Sequence, residues 1–318
     1  MTKNRKKMVI CGATGFIGRN LVEYYSEQGE YDITAIYNIR KPYATNDNVT
    51  WVKANLNNPE DVKMALSGAS VVLQFAATTS GSKDITTRPH IHVTDNAVMN
   101  SLLLRECYEI GVEHFVFPSC TVMYQPNQEP ISENDFDARE ELLSKYFGVG
   151  NTKVYIEKMC DFYSRFRKTK HTVIRHSNIY GPYDKYDLER SHVFGATVAK
   201  VMTADKHITV WGDGSEGRDL LHVGDLVRFV DCAINRQEEY YKLYNVGCGY
   251  ATTIKNLVEK IIKASGRELN IEFDLSKPTI KTTVCLNCKK AEQELGWKPL
   301  VSLEEGINKV IKWYRESF

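Results

Sequence analysis

KMVICGATGFIG, residues 7–18, is the stretch whose reading decides the fold. Residues 7–11 form a short apolar run of strand length. Glycines follow at 12, 15 and 18, and then RNLVEYYSEQG, residues 19–29, carries a helical pattern that stops at Gly29. A glycine-rich turn between a first strand and a first helix suits a dinucleotide pyrophosphate. The glycines permit a tight turn, close backbone approach to phosphate and close helix packing. The helix N-terminus adds unbonded N–H groups and a favourable dipole. The spacing alone is a weak signal, but its place directly after a strand and before a helix supplies the required context. Gly12, Thr14, Gly15, Phe16, Ile17 and Gly18 are thus the candidate pyrophosphate-loop residues.

Outward from this loop, strand and helix patterns alternate. YDITAIYN (31–38) and VTWVKAN (49–55) read as strands, and PEDVKMALSG (59–68) opens on a helix-start proline and closes on glycine. ASVVLQFAA (69–77) is a strand, DNAVMNSLLLRECYEIG (95–111) a helix and EHFVFPSC (113–120) a strand. Residues 150–168 read as a long helix, and HTVIRHSNIYG (171–181) opens with another strand. This alternation predicts right-handed βαβ units: an α/β fold with a Rossmann-type, doubly wound parallel sheet. Past residue 180 the pattern loosens. GPYDKYDLERSH, WGDGSEGRDLLHV and NVGCGYATT are loop-rich and polar. The expectation is a dinucleotide-binding domain over 1–180 and a smaller substrate-binding lobe over 181–318. Some of the later segments return to the first domain, and the lobe closes over the C-terminal sheet edge where ligands bind.

The end of the second strand bears on which dinucleotide is bound. An acidic residue there marks NAD by bonding the ribose hydroxyls, but this chain reads Ile36-Tyr37-Asn38-Ile39-Arg40-Lys41. Without a carboxylate there is no repulsion, and Arg40 or Lys41 can pair with a 2′-phosphate. The charge argument favours NADP, with NAD the alternative and two solvated loop cations the plainer reading.

Composition excludes several other classes. Among 318 residues, 42% are hydrophobic and 25% charged, with a net charge of +1. That is ordinary for a soluble globular protein and gives no reason to expect nucleic acid or a membrane surface as partner. No run approaches a transmembrane span, and the apolar stretch after the basic start suits a buried strand better than a signal peptide. The eight cysteines have no framework spacing, so reduced thiols in the cytoplasm are expected. Cys285 and Cys288 form a CxxC without a second pair, and no metal site is expected.

The ordered motifs resemble those of the extended short-chain dehydrogenase/reductase family, the nucleotide-sugar epimerases, dehydratases and reductases. GATGFIG, LQFAA (73–77), FPSCTVMY (117–124), TK…E (152–157), RHSNIYGP (175–182), WGDGSEGRDLLHVGDL (211–226), YNVGCG (244–249) and LGWKPLVSLEEGI run in family order nearly end to end. RSHV (190–193) and the overall spacing look closest to the GDP-L-fucose synthase branch. The resemblance implies that Phe75, Ala76 and Ala77 line the cofactor, and that Asn55 and Leu56 sit by adenine. It implies that Lys153 holds the nicotinamide ribose, and that Asn178 and Arg218 grip the pyrophosphate of a nucleotide-sugar substrate. Cys120 takes the place of the usual catalytic serine or threonine, with Thr121 beside it. His192 matches a histidine acid of the branch, with a packing histidine as the plainer reading. The cysteine partner of that histidine is replaced by Val122. The family commonly forms homodimers through two helices per subunit, one of them the Lys153 helix.

One position departs from the pattern. The family's acid–base tyrosine stands four residues before the lysine, on the same helix face. Here that position is Val149, and Glu157, four after Lys153, confirms the register. Three readings follow. Tyr146, seven before the lysine, supplies the phenol if Gly148 and Gly150 let the chain fold back. Alternatively, His192, Cys120 or a substrate hydroxyl supplies the proton. In the third reading the chain binds dinucleotide and sugar nucleotide without turnover.

Overall fold

The computed structural model describes residues 5–78, 88–125, 127, 129–188, 191–276 and 283–318. Its first half follows the predicted alternation: β1 (Lys6–Cys11), α1 (Phe16–Gln28), β2 (Tyr31–Tyr37), β3 (Val49–Lys53), α2 (Pro59–Leu66) and β4 (Val71–Gln74). Next come α3 (Thr94–Ile110), β5 (His114–Pro118), α4 (Phe147–Ser164), β6 (Lys170–His176) and β7 (Asn178–Tyr180). The helix ends carry local signals. Asn58 caps α2 through Oδ1, which accepts from Glu60 N and Asp61 N, with Pro59 in the first turn. Gly29 ends α1 in the left-handed region at φ 66°.

Seven parallel strands form the central sheet in the order β10-β6-β5-β4-β1-β2-β3, with β10 spanning Tyr241–Val246. Both faces are covered, as a parallel sheet requires. On one face Leu21, Val22 and Tyr25 of α1 share a core with Leu226, Phe229 and Val230 of α6 (Val223–Arg236). On the other, Val62 and Leu66 of α2, Leu103 and Leu104 of α3, and Ile156 and Cys160 of α4 pack together. This is the Rossmann-type doubly wound sheet expected from the alternation.

The remaining elements gather around a further apolar cluster that includes Phe194, Val198, Leu220, Leu257, Ile261, Ile307 and Val310. They are α5 (Val193–Thr203), β8 (His207–Trp211), β9 (Gly217–His222), β11 (Ala251–Thr253), α7 (Ile254–Ser265), β12 (Asn270–Asp274) and α9 (Leu303–Ser317). The short helix α8 (Lys289–Leu295) instead packs toward the central sheet through Ala291 and Leu295.

Two expectations need correction. WGDGSEGRDLLHV is not all loop: residues 217–222 form β9, between β7 and β11. A charged residue is tolerated in that buried strand because the Asp219 carboxylate accepts from Cys248 N at 2.7 Å and Leu286 N at 3.1 Å. The Lys153 helix runs 147–164 rather than 150–168, so Gly148 and Gly150 lie inside it and do not fold the chain back. Gly150 is there for packing, since a Cβ on it would stand 2.6 Å from Leu142 Cδ1.

Candidate functional site

The phosphate loop is a cradle with no spare volume. Gly12 has φ 71°, and a Cβ there would lie 2.7 Å from both Ala76 N and Phe75 O. A Cβ on Gly18 would stand 2.1 Å from Gly12 O. At the start of α1, Gly15 gives no side-chain cap and the first turn holds no acidic residue. The first-turn N–H groups of Phe16, Ile17 and Gly18 therefore remain for an anion. These features fit a dinucleotide pyrophosphate. Tyr43 Oη donates to Ala13 O at 3.3 Å, and its ring lies 4.1 Å from the Arg19 guanidinium. Arg19 also lies over the Tyr183 ring at 3.7 Å, which ties the loop after β7 to α1. Arg40 and Lys41 are exposed just past β2.

Residues 75–78, which face the glycines, are held by amide side chains that the sequence reading missed. Gln74 donates from Nε2 to Ala76 O at 3.1 Å and to Asn100 Oδ1 at 3.1 Å. Asn96 accepts from Thr78 N at 3.0 Å and donates back to Thr78 O at 2.9 Å. Gln74 lay in the quoted LQFAA stretch, but Asn96 and Asn100 come from a distant helix and had no local signal. Leu56 is buried, and Asn55 is exposed with its Oδ1 engaged by Asn57 N at 3.2 Å.

At the C-terminal ends of β5 and β6 the structure brings Lys153, Cys120 and Tyr146 together. Lys153 Nζ donates to Pro118 O at 2.8 Å and lies 4.7 Å from the Phe117 ring centroid. Burial lowers its pKa, which Cys120 and Glu157 counter. The Cys120 thiol is pushed up by burial, with the Lys153 charge pulling it down. Tyr146 caps the N-terminus of α4, and burial raises its phenol, with Arg218 opposing. Lys145 lies over the Tyr146 ring at 4.8 Å, and burial lowers its pKa, with Arg218 adding to the effect. Thr121 and Val149 are half-buried alongside.

The opposite wall comes from β7 and β9. Asn178 Nδ2 donates to Asp219 O at 3.2 Å, and Arg218 Nη1 donates to Gly217 O at 2.7 Å. Burial lowers the Arg218 pKa, with Glu216 and Tyr146 raising it. Arg218 and Tyr146 are thus electrostatic neighbours. His192 is exposed at the N-terminus of α5, yet the protein around it, and then Lys185, lowers its pKa. Arg190 of the RSHV match lies outside the described residues. A further imidazole, His176 of the RHSNIYGP stretch, stands at the end of β6. Its pKa is lowered to about 4 by burial, with Lys153 and His192 adding to the effect.

Beneath this group sits a buried polar network. Glu157 accepts from Ser119 Oγ at 2.5 Å, Arg175 Nε at 3.0 Å and Arg175 Nη2 at 2.6 Å. Arg175 Nη1 donates to Tyr124 Oη at 3.0 Å, and Tyr124 donates to Asn245 Oδ1 at 2.7 Å. The network joins α4, the segment after β5, β6 and β10, so it holds the Lys153 helix against the strand ends.

Comparison with known proteins agrees with this architecture. A UDP-glucose 4-epimerase from Thermotoga maritima, solved with UDP-glucose, superposes with a TM-score of 0.87 at 25% identity, covering 98% of this chain and 99% of that one. A putative UDP-glucose 4-epimerase of Methanocaldococcus jannaschii is 27% identical, over 98% of this chain and 99% of its own length. GDP-L-fucose synthase 1 of Arabidopsis thaliana is also 27% identical, over 99% and 94%. Relatives of both nucleotide types stand at equal identity, so similarity alone does not single out the GDP-L-fucose synthase branch. No helix among the described residues is long and apolar enough to cross a membrane. The profile of the NAD dependent epimerase/dehydratase family matches residues 8–247, from β1 through the Lys153 helix to β10, and the chain belongs to that family.

Proposed function

We propose that the chain is an NAD(P)-dependent enzyme that oxidises or reduces a ring carbon of a GDP- or UDP-linked sugar, with epimerisation or dehydration coupled to that step. The observation that carries this reading is the meeting of Lys153, Cys120 and Tyr146 with Arg218 at the sheet edge that bears the glycine cradle. A dinucleotide bound there would supply the hydride acceptor and donor. Gly12, Gly15 and Gly18 hold its pyrophosphate, Lys153 its nicotinamide ribose, and Asn178 with Arg218 the diphosphate of the sugar nucleotide. The second reading, a binder of both ligands without turnover, draws its support from Val149. Turnover of UDP- and GDP-sugars by the purified protein separates the two.

In this reading Tyr146 is a hydrogen-bond donor rather than the acid–base. The helix is regular from Phe147, so Tyr146 stands about 10 Å along the axis from Lys153. Burial moves its phenol further from neutrality. Tyr146→Phe is therefore expected to raise KM for the sugar nucleotide about tenfold, the worth of one hydrogen bond, with a smaller change in kcat. A hundredfold fall in kcat would make Tyr146 the proton carrier instead.

We place NADP ahead of NAD because Arg40 and Lys41 stand exposed after β2 with no carboxylate at the strand end. Arg40→Ala is expected to weaken NADP binding about tenfold, the loss of one charge-assisted bond, and to leave NAD binding unchanged. Equal affinities for the two dinucleotides in wild type and variant would end the NADP assignment.

A further inference from the structure

The structure offers a group for the proton that Val149 cannot carry. We propose that His176, through Nε2, is the acid–base of the hydride step, in the role the family gives to the absent tyrosine. This role rests on the oxidoreductase reading above.

The placement follows from strand register. Pro118 pairs with Ile174 where β5 meets β6, and Ser119 N continues the ladder to Ile174 O at 2.7 Å. The next residues, Ser119 and Arg175, both turn toward Glu157 on the Lys153 helix. Successive side chains alternate along a strand, so His176, the last residue of β6, turns to the side opposite Arg175. It stands at the C-terminal end of β6. Lys153 reaches that place from α4 and is anchored on Pro118 O at 2.8 Å, in the residue that pairs two positions before His176.

The imidazole is also oriented. Its Nδ1 lies 2.8 Å from Ser177 O. A carbonyl oxygen only accepts, so Nδ1 carries the hydrogen and Nε2 of the neutral ring keeps its lone pair. Burial favours that neutral form and Lys153 and His192 add to it, against the Ser177 carbonyl, which favours the charged ring. Burial keeps the Cys120 thiol and the Tyr146 phenol protonated at neutral pH, so neither holds a lone pair ready for the hydroxyl proton as the neutral imidazole does.

The step balances without a further reactant. In oxidation, the carbinol carbon passes a hydride to the oxidised nicotinamide while the hydroxyl proton passes to His176 Nε2. The alcohol becomes a carbonyl, and the nicotinamide is reduced. In reduction, the same proton returns from Nε2 to the carbonyl oxygen as the hydride returns to carbon. Lys153, next to the imidazolium formed, favours prompt return of that proton by like-charge repulsion.

The test uses the full chain with NAD or NADP and with UDP-glucose or GDP-L-fucose as probes. His176→Gln is expected to lower kcat about 100-fold, the scale of one general acid–base group, while both ligands bind as in wild type. Adding Val149→Tyr to His176→Gln should restore turnover, and free imidazole should partly rescue His176→Ala. A merely structural histidine would give neither result. Where Gln disturbs folding, His176→Asn with a wild-type melting temperature replaces it. The readout independent of turnover is the ¹⁵N spectrum of His176, which should show the Nδ1–H tautomer and an Nε2 shift when the sugar nucleotide binds. An Nε2–H tautomer, or wild-type kcat in His176→Gln, overturns the role while leaving the oxidoreductase reading standing. A wild type that binds both ligands and converts no sugar nucleotide removes that reading, and this role with it.

Discussion

Glu157→Ala is expected to destabilise the protein by about 3–5 kcal/mol, the cost of removing one partner of a buried ion pair. Both side chains of the Glu157–Arg175 pair are only 4% exposed. Burial works against the Arg175 charge, and the bonds to Glu157 outweigh it, so its pKa is raised. Removing Glu157 leaves that charge without its counter-ion and frees Ser119 Oγ and two guanidinium bonds at once. Replacing Glu157 and Arg175 together by methionine should cost much less, because no uncompensated charge then remains. Urea unfolding followed by circular dichroism gives the comparison through the midpoint at constant m-value. A single variant as stable as wild type would show that water or another side chain already screens Arg175. The expected loss extends to function, since the network holds α4 and hence Lys153 against β5.

Gly18→Ala is expected to raise the dissociation constant for NAD and NADP by at least about 100-fold, or about 2.7 kcal/mol. The added Cβ would stand 2.1 Å from Gly12 O and 2.8 Å from Gly12 C, both backbone atoms. Gly12 is itself closely approached, since a Cβ on it would lie 2.7 Å from both Ala76 N and Phe75 O. Those atoms are held in turn by Gln74 through Ala76. The clash must open the turn, which displaces the N–H groups at the start of α1, and overpacking should cost a further 1–3 kcal/mol or so of stability. Gly29→Ala is the control. It meets nothing within 4 Å, and its φ of 66° makes it strained alone. That variant should lose about 1 kcal/mol of stability and keep wild-type dinucleotide affinity. Calorimetric titration of both variants separates loss of the cradle from general weakening. Binding by Gly18→Ala within a few-fold of wild type would mean that the pyrophosphate does not rest on this turn.

Much of the fold was legible because its signals are local. The strand, the GATGFIG turn and α1 are contiguous, and the hydrophobic period changes where strand gives way to helix. The same holds for the Lys153 helix, where the fixed spacing of Lys153 and Glu157 exposed Val149. Legibility failed where a residue's partner is far away in the chain. RDLLH reads as loop because Asp219 disfavours a buried strand. It becomes one when backbone N–H groups from residues 248 and 286 arrive. Asn96 and Asn100 look like ordinary polar positions of α3 until Thr78 and Gln74 lie beside them. His176 was passed over for the same reason. Its neighbours in sequence, Arg175 and Ser177, say nothing of Lys153 and His192, which come from other elements.

The sequence by itself determined the α/β class, the glycine cradle, the register of the Lys153 helix and the substitution at Val149. Each rests on residues a few positions apart, where backbone geometry alone sets which side chains share a face. Tertiary structure decided that Gly148 and Gly150 pack rather than bend. It also decided that Glu157 and Arg175 lock the helix to the sheet, and that His176 ends β6 on the side opposite Arg175. Those outcomes depend on parallel strand register and on burial, which exist only once separate elements of the chain have packed together.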